Sequence, residues 1–149
     1  MPADSKITVM RRVPFCAGHR LVGHEGKCIH LHGHNYVVEI FVTGNKVDPL
    51  GRIVDFAVIN RLFKNWIDEN WDHGFVLWDQ DHAAIKAIES VQPARVYKIP
   101  DNPTAENMAR YLLHKVGPKL LAELRDYDLV LYKVVLCESE KSAAIVELV

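Results

Sequence analysis

Three histidines, His30, His32 and His34, stand at alternate positions, and five of the chain's eight histidines (these and His19 and His24) fall between positions 19 and 34. In an extended chain alternate side chains share a face, roughly 6–7 Å apart per two-residue step, so neighbouring imidazoles can converge on one ion. Zinc bound through imidazole needs about 2.0–2.1 Å to each nitrogen, and a catalytic site takes three protein ligands and leaves a fourth position for water or substrate. His32-Gly33-His34 suits that need, because Gly33 removes a side chain where backbone must bend close. Spacing leaves the third ligand open among His19, His24 and His30, with Cys28 a further candidate. The alternative, a solvated loop that happens to hold histidines, fits poorly with so dense a cluster.

Other residues could handle protons. Cys28 follows Lys27, and a nearby cation or metal lowers a thiol pKa toward the thiolate that acts as base or nucleophile. An isolated cysteine is more often a small buried residue, the role expected of Cys16 and Cys137. Three cysteines, odd in number and far apart, argue for reduced thiols and against a disulfide framework. In Asp72-His73 the carboxylate can fix the imidazole's tautomer and ready it for proton transfer near neutral pH. Glu138, near Glu140 and Lys141, reads by itself as a turn residue, and Glu106 as an acidic group serving a helix N-terminus.

These groups must be positioned by a chain of 149 residues, a length expected to fold as one domain over residues 1–149. Apolar residues make up 49% and charged residues 25%, enough to bury a core. A net charge of −1 gives no bulk attraction to nucleic acid or anionic membrane. No run approaches the roughly 20 apolar residues of a membrane helix, nor is there a signal-peptide pattern, so the expected compartment is the cytoplasm. Period-two alternation predicts a strand from Ile7 to Phe15, and β-branched and aromatic residues predict another from Tyr36 to Val42. Ile59, Leu62, Phe63, Trp66 and Ile67 fall at helical spacing. A second helix starts near Asn102-Pro103-Thr104 and should kink or break at Gly117-Pro118. Leu129–Leu136 and Ala143–Val149 are the closing strands. Between Trp71 and Asp101 the pattern is irregular, with a short helix near Ala83–Glu89 and a short strand at Val96–Ile99. The order predicts an α+β fold, an antiparallel sheet with helices on one face, whose open edges favour assembly.

Phe15-Cys16-Ala17-Gly18-His19-Arg20-Leu21, Lys27-Cys28 and Leu31-His32-Gly33-His34-Asn35-Tyr36 together resemble the signature of the 6-pyruvoyl- and 6-carboxytetrahydropterin synthases. The likeness continues in order through Gly51-Arg52-Ile53-Val54-Asp55-Phe56, Asp72-His73, Pro103-Thr104-Ala105-Glu106-Asn107 and Cys137-Glu138-Ser139, nearly the whole chain. It implies a zinc ion on His19, His32 and His34, which demotes His24, His30 and Cys28 as ligands. It implies Cys28 as general base, Asp72 and His73 completing its relay, and Glu138 accepting two hydrogen bonds from a pterin ring. Trp71 and Ser139 depart from the family pattern, which more often has an aliphatic residue and a threonine there.

Asp55-Phe56 resembles the microbial branch, and Cys28 separates the chain from the branch that carries glutamate in its place. That branch implies zinc-dependent conversion of 7,8-dihydroneopterin triphosphate to 6-carboxy-5,6,7,8-tetrahydropterin, with release of acetaldehyde and triphosphate, toward deazapurines such as queuosine. Two alternatives are a pyruvoyl product formed by triphosphate elimination alone and a non-catalytic pterin or purine module with a structural zinc. Arg11, Arg12, Arg20 and Lys27 are candidates for the triphosphate. The implied architecture is the tunnelling fold: an antiparallel four-stranded sheet with two main helices on one face, oligomerising into a β-barrel. The implied assembly is a homo-oligomer of two stacked trimers with active sites at subunit interfaces. The segment from Gly74 to Asn102 is longer than in the most compact members.

Overall fold

A computed structural model describes residues 5–149. In chain order the elements are β1 (Ile7–His19), a single 3-10 turn (Lys27–Ile29), β2 (His32–Gly44), α1 (Phe56–Asn70), β3 (Gly74–Trp78), α2 (His82–Glu89) and β4 (Val96–Ile99). There follow α3 (Ala105–Tyr111), a π-helical turn (Leu112–Val116), α4 (Gly117–Leu121), a 3-10 stretch (Ala122–Tyr127), β5 (Val130–Cys137) and β6 (Ala143–Glu147).

β1 and β2 form a long antiparallel hairpin in unbroken register from Ile7 opposite Gly44 to His19 opposite His32. Alternation sets its two faces: Val13, Phe15 and Ala17 on β1 and Tyr36, Val38, Ile40 and Val42 on β2 are buried, while Arg12 and Glu39 pair across the opposite face at 3.2 Å. The odd positions of β1 and the even positions of β2 therefore share the core side, and His19, His32 and His34 continue those rows beyond the apolar residues.

The expected antiparallel four-stranded sheet is corrected to a mixed six-stranded one, in the order β4-β3-β1-β2-β5-β6. β3 pairs parallel to β1, and β4 parallel to β3. Strand β3 escaped sequence reading because Phe75-Val76-Leu77-Trp78 is an unbroken apolar run without alternation. Val76 faces the main core, whereas Leu77 lies under Ala84 and Ile85 of α2 on the other side. A strand covered on both faces reads as continuously apolar, as parallel strands do.

The two main helical segments do share one face. α1 is capped by Asp55, which accepts the Ala57 amide at 2.9 Å, and buries Ile59, Leu62, Phe63 and Ile67, each worth about 1.5–3 kcal/mol of transfer free energy. α3 begins at Thr104, whose hydroxyl accepts the Asn107 amide at 3.0 Å. The predicted kink takes the form of the π turn: the Gly117 amide reaches back to the Leu112 carbonyl, which lets the helix accommodate Pro118 without ending. Gly117 is needed there, since a Cβ would lie 2.1 Å from Leu131 Cδ2. No helix among the described residues is long and apolar enough to cross a membrane.

Candidate functional site

Register alone brings three imidazoles together at the end of the β1–β2 hairpin. His19 stands directly opposite His32, and His34 lies diagonally on the same face opposite Ala17. Ring centroids are 4.6 Å apart for His19 and His32, 5.1 Å for His19 and His34, and 4.9 Å for His32 and His34. Gly33 permits the approach, because a Cβ there would meet the Ala17 carbonyl oxygen at 3.0 Å.

Two backbone carbonyls fix the tautomers. His19 Nδ1 donates to the Pro103 carbonyl at 2.7 Å and His32 Nδ1 to the His30 carbonyl at 2.6 Å. A carbonyl can only accept, so each neutral ring carries its proton on Nδ1 and turns a lone pair outward from Nε2. Those two Nε2 atoms are 3.1 Å apart, an arrangement in which neutral rings repel unless a cation lies between them. Tetrahedral coordination at about 2.05 Å spaces ligand atoms about 3.3 Å apart. His34 Nε2 is buried without a hydrogen-bond partner, although Glu138 Oε1 approaches it to 2.7 Å. One donor atom from each of His19, His32, His34 and Glu138 falls within 4.8 Å of the others.

The electrostatics agree. Burial pushes the His19 pKa down to about 4, with His32 and His34 adding to the effect and the Pro103 hydrogen bond opposing it. Burial also lowers His34 against the opposing pull of Glu138. For His19 this favours the neutral form that a metal requires, and the shift of His34 runs in the same direction. Tyr36 closes the cluster from below, its hydroxyl 3.3 Å from His19 Nδ1; burial, then the charges of Glu138 and Cys28, raise its pKa and keep it protonated. The donor set and the opposed Nε2 lone pairs of His19 and His32 fit a zinc ion.

Of the other expected ligands, His30 serves through its carbonyl, and His24 Nδ1 accepts the Gly26 amide at 2.8 Å. Cys28 is half-buried in the 3-10 turn that joins β1 to β2. The Asp72-His73 pair lies elsewhere, at the junction of α1 with β3. Asp72 Oδ1 accepts the Cys16 amide at 2.9 Å, Oδ2 accepts His73 Nδ1–H at 2.8 Å, and the His73 amide donates to the Cys16 carbonyl at 2.7 Å. Burial would raise the Asp72 pKa, but these hydrogen bonds outweigh it and hold the carboxyl below its usual range. His73 adopts φ 60°, a left-handed conformation uncommon outside glycine, and its side chain is exposed. Within one chain Cys28, Asp72 and His73 are not brought together; Asp72 and His73 gather around Cys16 instead.

The sequence model of the family described as 6-pyruvoyl tetrahydropterin synthase matches residues 8–148. The chain belongs to that family. Among its relatives, a Rickettsia typhi protein named 6-carboxy-5,6,7,8-tetrahydropterin synthase is 45% identical over 78% of this chain and 85% of its own length. A Halobacterium salinarum protein named as a probable 6-carboxy-5,6,7,8-tetrahydropterin synthase is 35% identical over 74% and 69%. The match is thus to the microbial branch of the 6-pyruvoyl tetrahydropterin synthase family. A crystal structure of an uncharacterised Wolinella succinogenes protein shares the fold with TM-score 0.76 and 23% identity over 97% of this chain and 99% of that one. Plasmodium falciparum 6-pyruvoyl tetrahydropterin synthase shares it with TM-score 0.69 and 21% identity over 96% and 98%.

Several residues take roles that sequence reasoning did not give them. Cys16 is not a plain core residue: it is half-buried and its backbone amide donates to Asp72. The period-two parity of β1 carried the signal, since Cys16 falls on the face opposite Phe15 and Ala17. Tyr36, seen only as a strand residue, lies against His19. Arg20 is engaged by Asp81, with Nε–Oδ2 at 2.6 Å and Nη2–Oδ1 at 2.5 Å, which commits two of its five N–H donors to a carboxylate. Asn102-Pro103-Thr104 does more than start a helix. The Asn102 side chain ties the Val22 backbone through 2.9 and 3.0 Å hydrogen bonds, Pro103 fixes His19 and Thr104 caps α3.

Proposed function

We propose that this protein is a zinc-dependent 6-carboxy-5,6,7,8-tetrahydropterin synthase, converting 7,8-dihydroneopterin triphosphate to its carboxy product with loss of acetaldehyde and triphosphate. The observation that carries this reading is the trio of converging imidazoles, two with Nε2 atoms facing each other at 3.1 Å, in a chain 45% identical to a protein named for that activity. His19, His32 and His34 would hold the ion, whose chemistry when bound is to polarise a substrate oxygen and stabilise the negative charge left by proton removal.

The chain's own groups do the rest. Cys28, beside Lys27, takes a proton from the substrate side chain. Asp72 holds the His73 Nδ1–H, leaving Nε2 free to pass a proton on. Because Cys28 and the Asp72-His73 pair are not neighbours within one chain, the relay is completed by a second copy in a homo-oligomeric assembly, with barrel closure of the open sheet joining the two. Glu138 lies between the histidines and a cavity of about 670 Å3 that is also lined by Arg12, Asn35, Cys137 and Ser139. That volume is ample for a bicyclic ring, and the carboxylate can pair with a pterin's ring amide and amino group in parallel.

The test is to incubate zinc-loaded protein with 7,8-dihydroneopterin triphosphate and identify products by mass spectrometry. Acetaldehyde and 6-carboxytetrahydropterin are expected, with turnover abolished in Cys28→Ala and His19→Ala. Formation of 6-pyruvoyltetrahydropterin alone would move the protein to the elimination-only reaction. No turnover with zinc bound and Cys28→Ala indistinguishable from the parent would reduce it to a binding role.

A further inference from the structure

A second cluster of potential metal donors lies apart from the three histidines. One donor atom from each of Cys16, Asp72 and His73 falls within 4.8 Å of the others, combining a sulfur, a carboxylate oxygen and an imidazole nitrogen. The backbone holds them in place. Cys16 gives its amide to Asp72 and its carbonyl to the His73 amide, while Gly74, next in the chain, sits opposite Ala17 in the parallel β1–β3 pairing. His73 is kept at φ 60° by this arrangement, and strained conformations of this kind persist only where surrounding contacts impose them. Cys16 and His73 line a cavity of about 400 Å3 together with His32 and His34, and Asp72, bonded to His73 behind it, is itself part-exposed, so solvent ions can reach Cys16 and His73.

We infer that Cys16, Asp72 and His73 form a second divalent-cation site, suited to zinc or cobalt, weaker than the three-histidine site. Thiolate and imidazole favour a borderline-soft ion and exclude magnesium and calcium as the preferred occupants. The exposure of His73 and an incomplete donor set make the site the weaker of the two. Binding displaces the thiol proton of Cys16 to solvent, and His73 ligates as neutral imidazole with its one ring proton on the nitrogen turned away from the ion, so one proton is released per ion bound to the neutral-imidazole form. Its consequence for catalysis rests on the pterin synthase reading. An ion here would immobilise Asp72 and His73, so excess metal would inhibit by occupying the relay.

The site itself is tested without turnover. Metal-free protein is titrated with cobalt(II) while visible and near-ultraviolet spectra and total bound metal are recorded. The expected result is two equivalents bound, the second bringing a thiolate-to-cobalt charge-transfer band. Cys16→Ser should lose that band and one equivalent, while Cys28→Ser and Cys137→Ser keep both. His73→Gly, which suits the left-handed backbone and preserves the fold, should weaken the second equivalent and keep the first. His19→Ala should lose the first equivalent yet keep the Cys16-dependent band, which separates failure of this site from failure of the three-histidine reading. A single equivalent in the parent protein, or a band removed by Cys28→Ser or Cys137→Ser but not by Cys16→Ser, would overturn the inference. Under turnover, inhibition by excess zinc that disappears in Cys16→Ser would support it, and equal inhibition of both proteins would count against it.

Discussion

Asp81→Ala should destabilise the protein by about 3 kcal/mol, and the size of the loss follows from what the carboxylate touches. Its side chain is 3% exposed and receives the Arg20 guanidinium through two charge-assisted hydrogen bonds, at 2.6 and 2.5 Å. It also caps α2 by accepting the Ala84 amide at 3.2 Å. Losing an N-cap costs about 1 kcal/mol. Removing one partner of a buried ion pair costs about 3–5 kcal/mol, but the Arg20 side chain is 28% exposed and can recover part of its hydration, which reduces that component to about 2 kcal/mol. For a domain of this size the sum corresponds to a fall in Tm of roughly 6–12 °C.

Asp81→Asn, which retains the cap, should lose about 2 kcal/mol. Paired with Arg20→Ala it should show coupling of at least 1 kcal/mol in a double-mutant cycle. The pH dependence carries a definite sign. The Arg20 hydrogen bond, opposed by burial and assisted by the Ala84 amide, holds the Asp81 pKa below its usual value. The stabilisation is therefore fully present above the unfolded pKa of about 3.9 and is lost as pH falls through the lower folded value. The Tm gap between parent and Asp81→Asn should stay constant from about pH 5 upward and narrow below about pH 4. Additive Tm losses, or an Arg20→Ala variant that keeps its Tm but raises KM for the triphosphate substrate, would refute the reasoning and return Arg20 to substrate binding.

Further outcomes concern the site and its supports. Glu138→Gln should raise KM for the pterin substrate by tenfold or more, because an amide cannot accept both parallel hydrogen bonds; steady-state kinetics check this. Gly33→Ala should weaken zinc binding by about tenfold, since its Cβ meets the Ala17 carbonyl at 3.0 Å and pushes β2, which bears His32 and His34, away from β1, which bears His19; chelator competition measures it. Gly117→Ala should cost about 1–3 kcal/mol in denaturant unfolding, because the new methyl would overlap Leu131 Cδ2. Thr104→Ala should cost about 1 kcal/mol through the lost cap of α3, measured the same way.

The residues that bear chemistry were legible because their types and spacing are local facts. Once two strands pair, the parity of His19, His32 and His34 determines that they meet, and Thr104 announces its helix by cap chemistry, whereas the Asp55 cap of α1 emerged only in the structure. Long-range partners were not legible. Nothing near Arg20 signals Asp81, 61 positions away, and nothing around Cys28 reveals that Asp72 will settle beside Cys16. β3 was lost because burial on both faces erases the alternation that marks a half-buried strand, and β4 was recognised without its parallel partner. The Gly74–Asn102 segment, irregular in sequence, supplies both added strands and α2.

His19, His32 and His34 reside within the first quarter of the chain, yet the carbonyl that orients His19 comes from Pro103, 84 positions later. A nascent hairpin could gather the three imidazoles, but it would hold His19 free to rotate, and the ion with it only loosely. On the zinc reading, tight capture would wait until the second half of the chain has packed and Pro103 has arrived. Metal affinity thereby becomes a readout of completed folding: an ion that binds only the finished molecule stabilises it globally, by about 2.7 kcal/mol at a hundredfold excess over Kd. Chelation should consequently lower the unfolding free energy of helices that lie nowhere near the histidines.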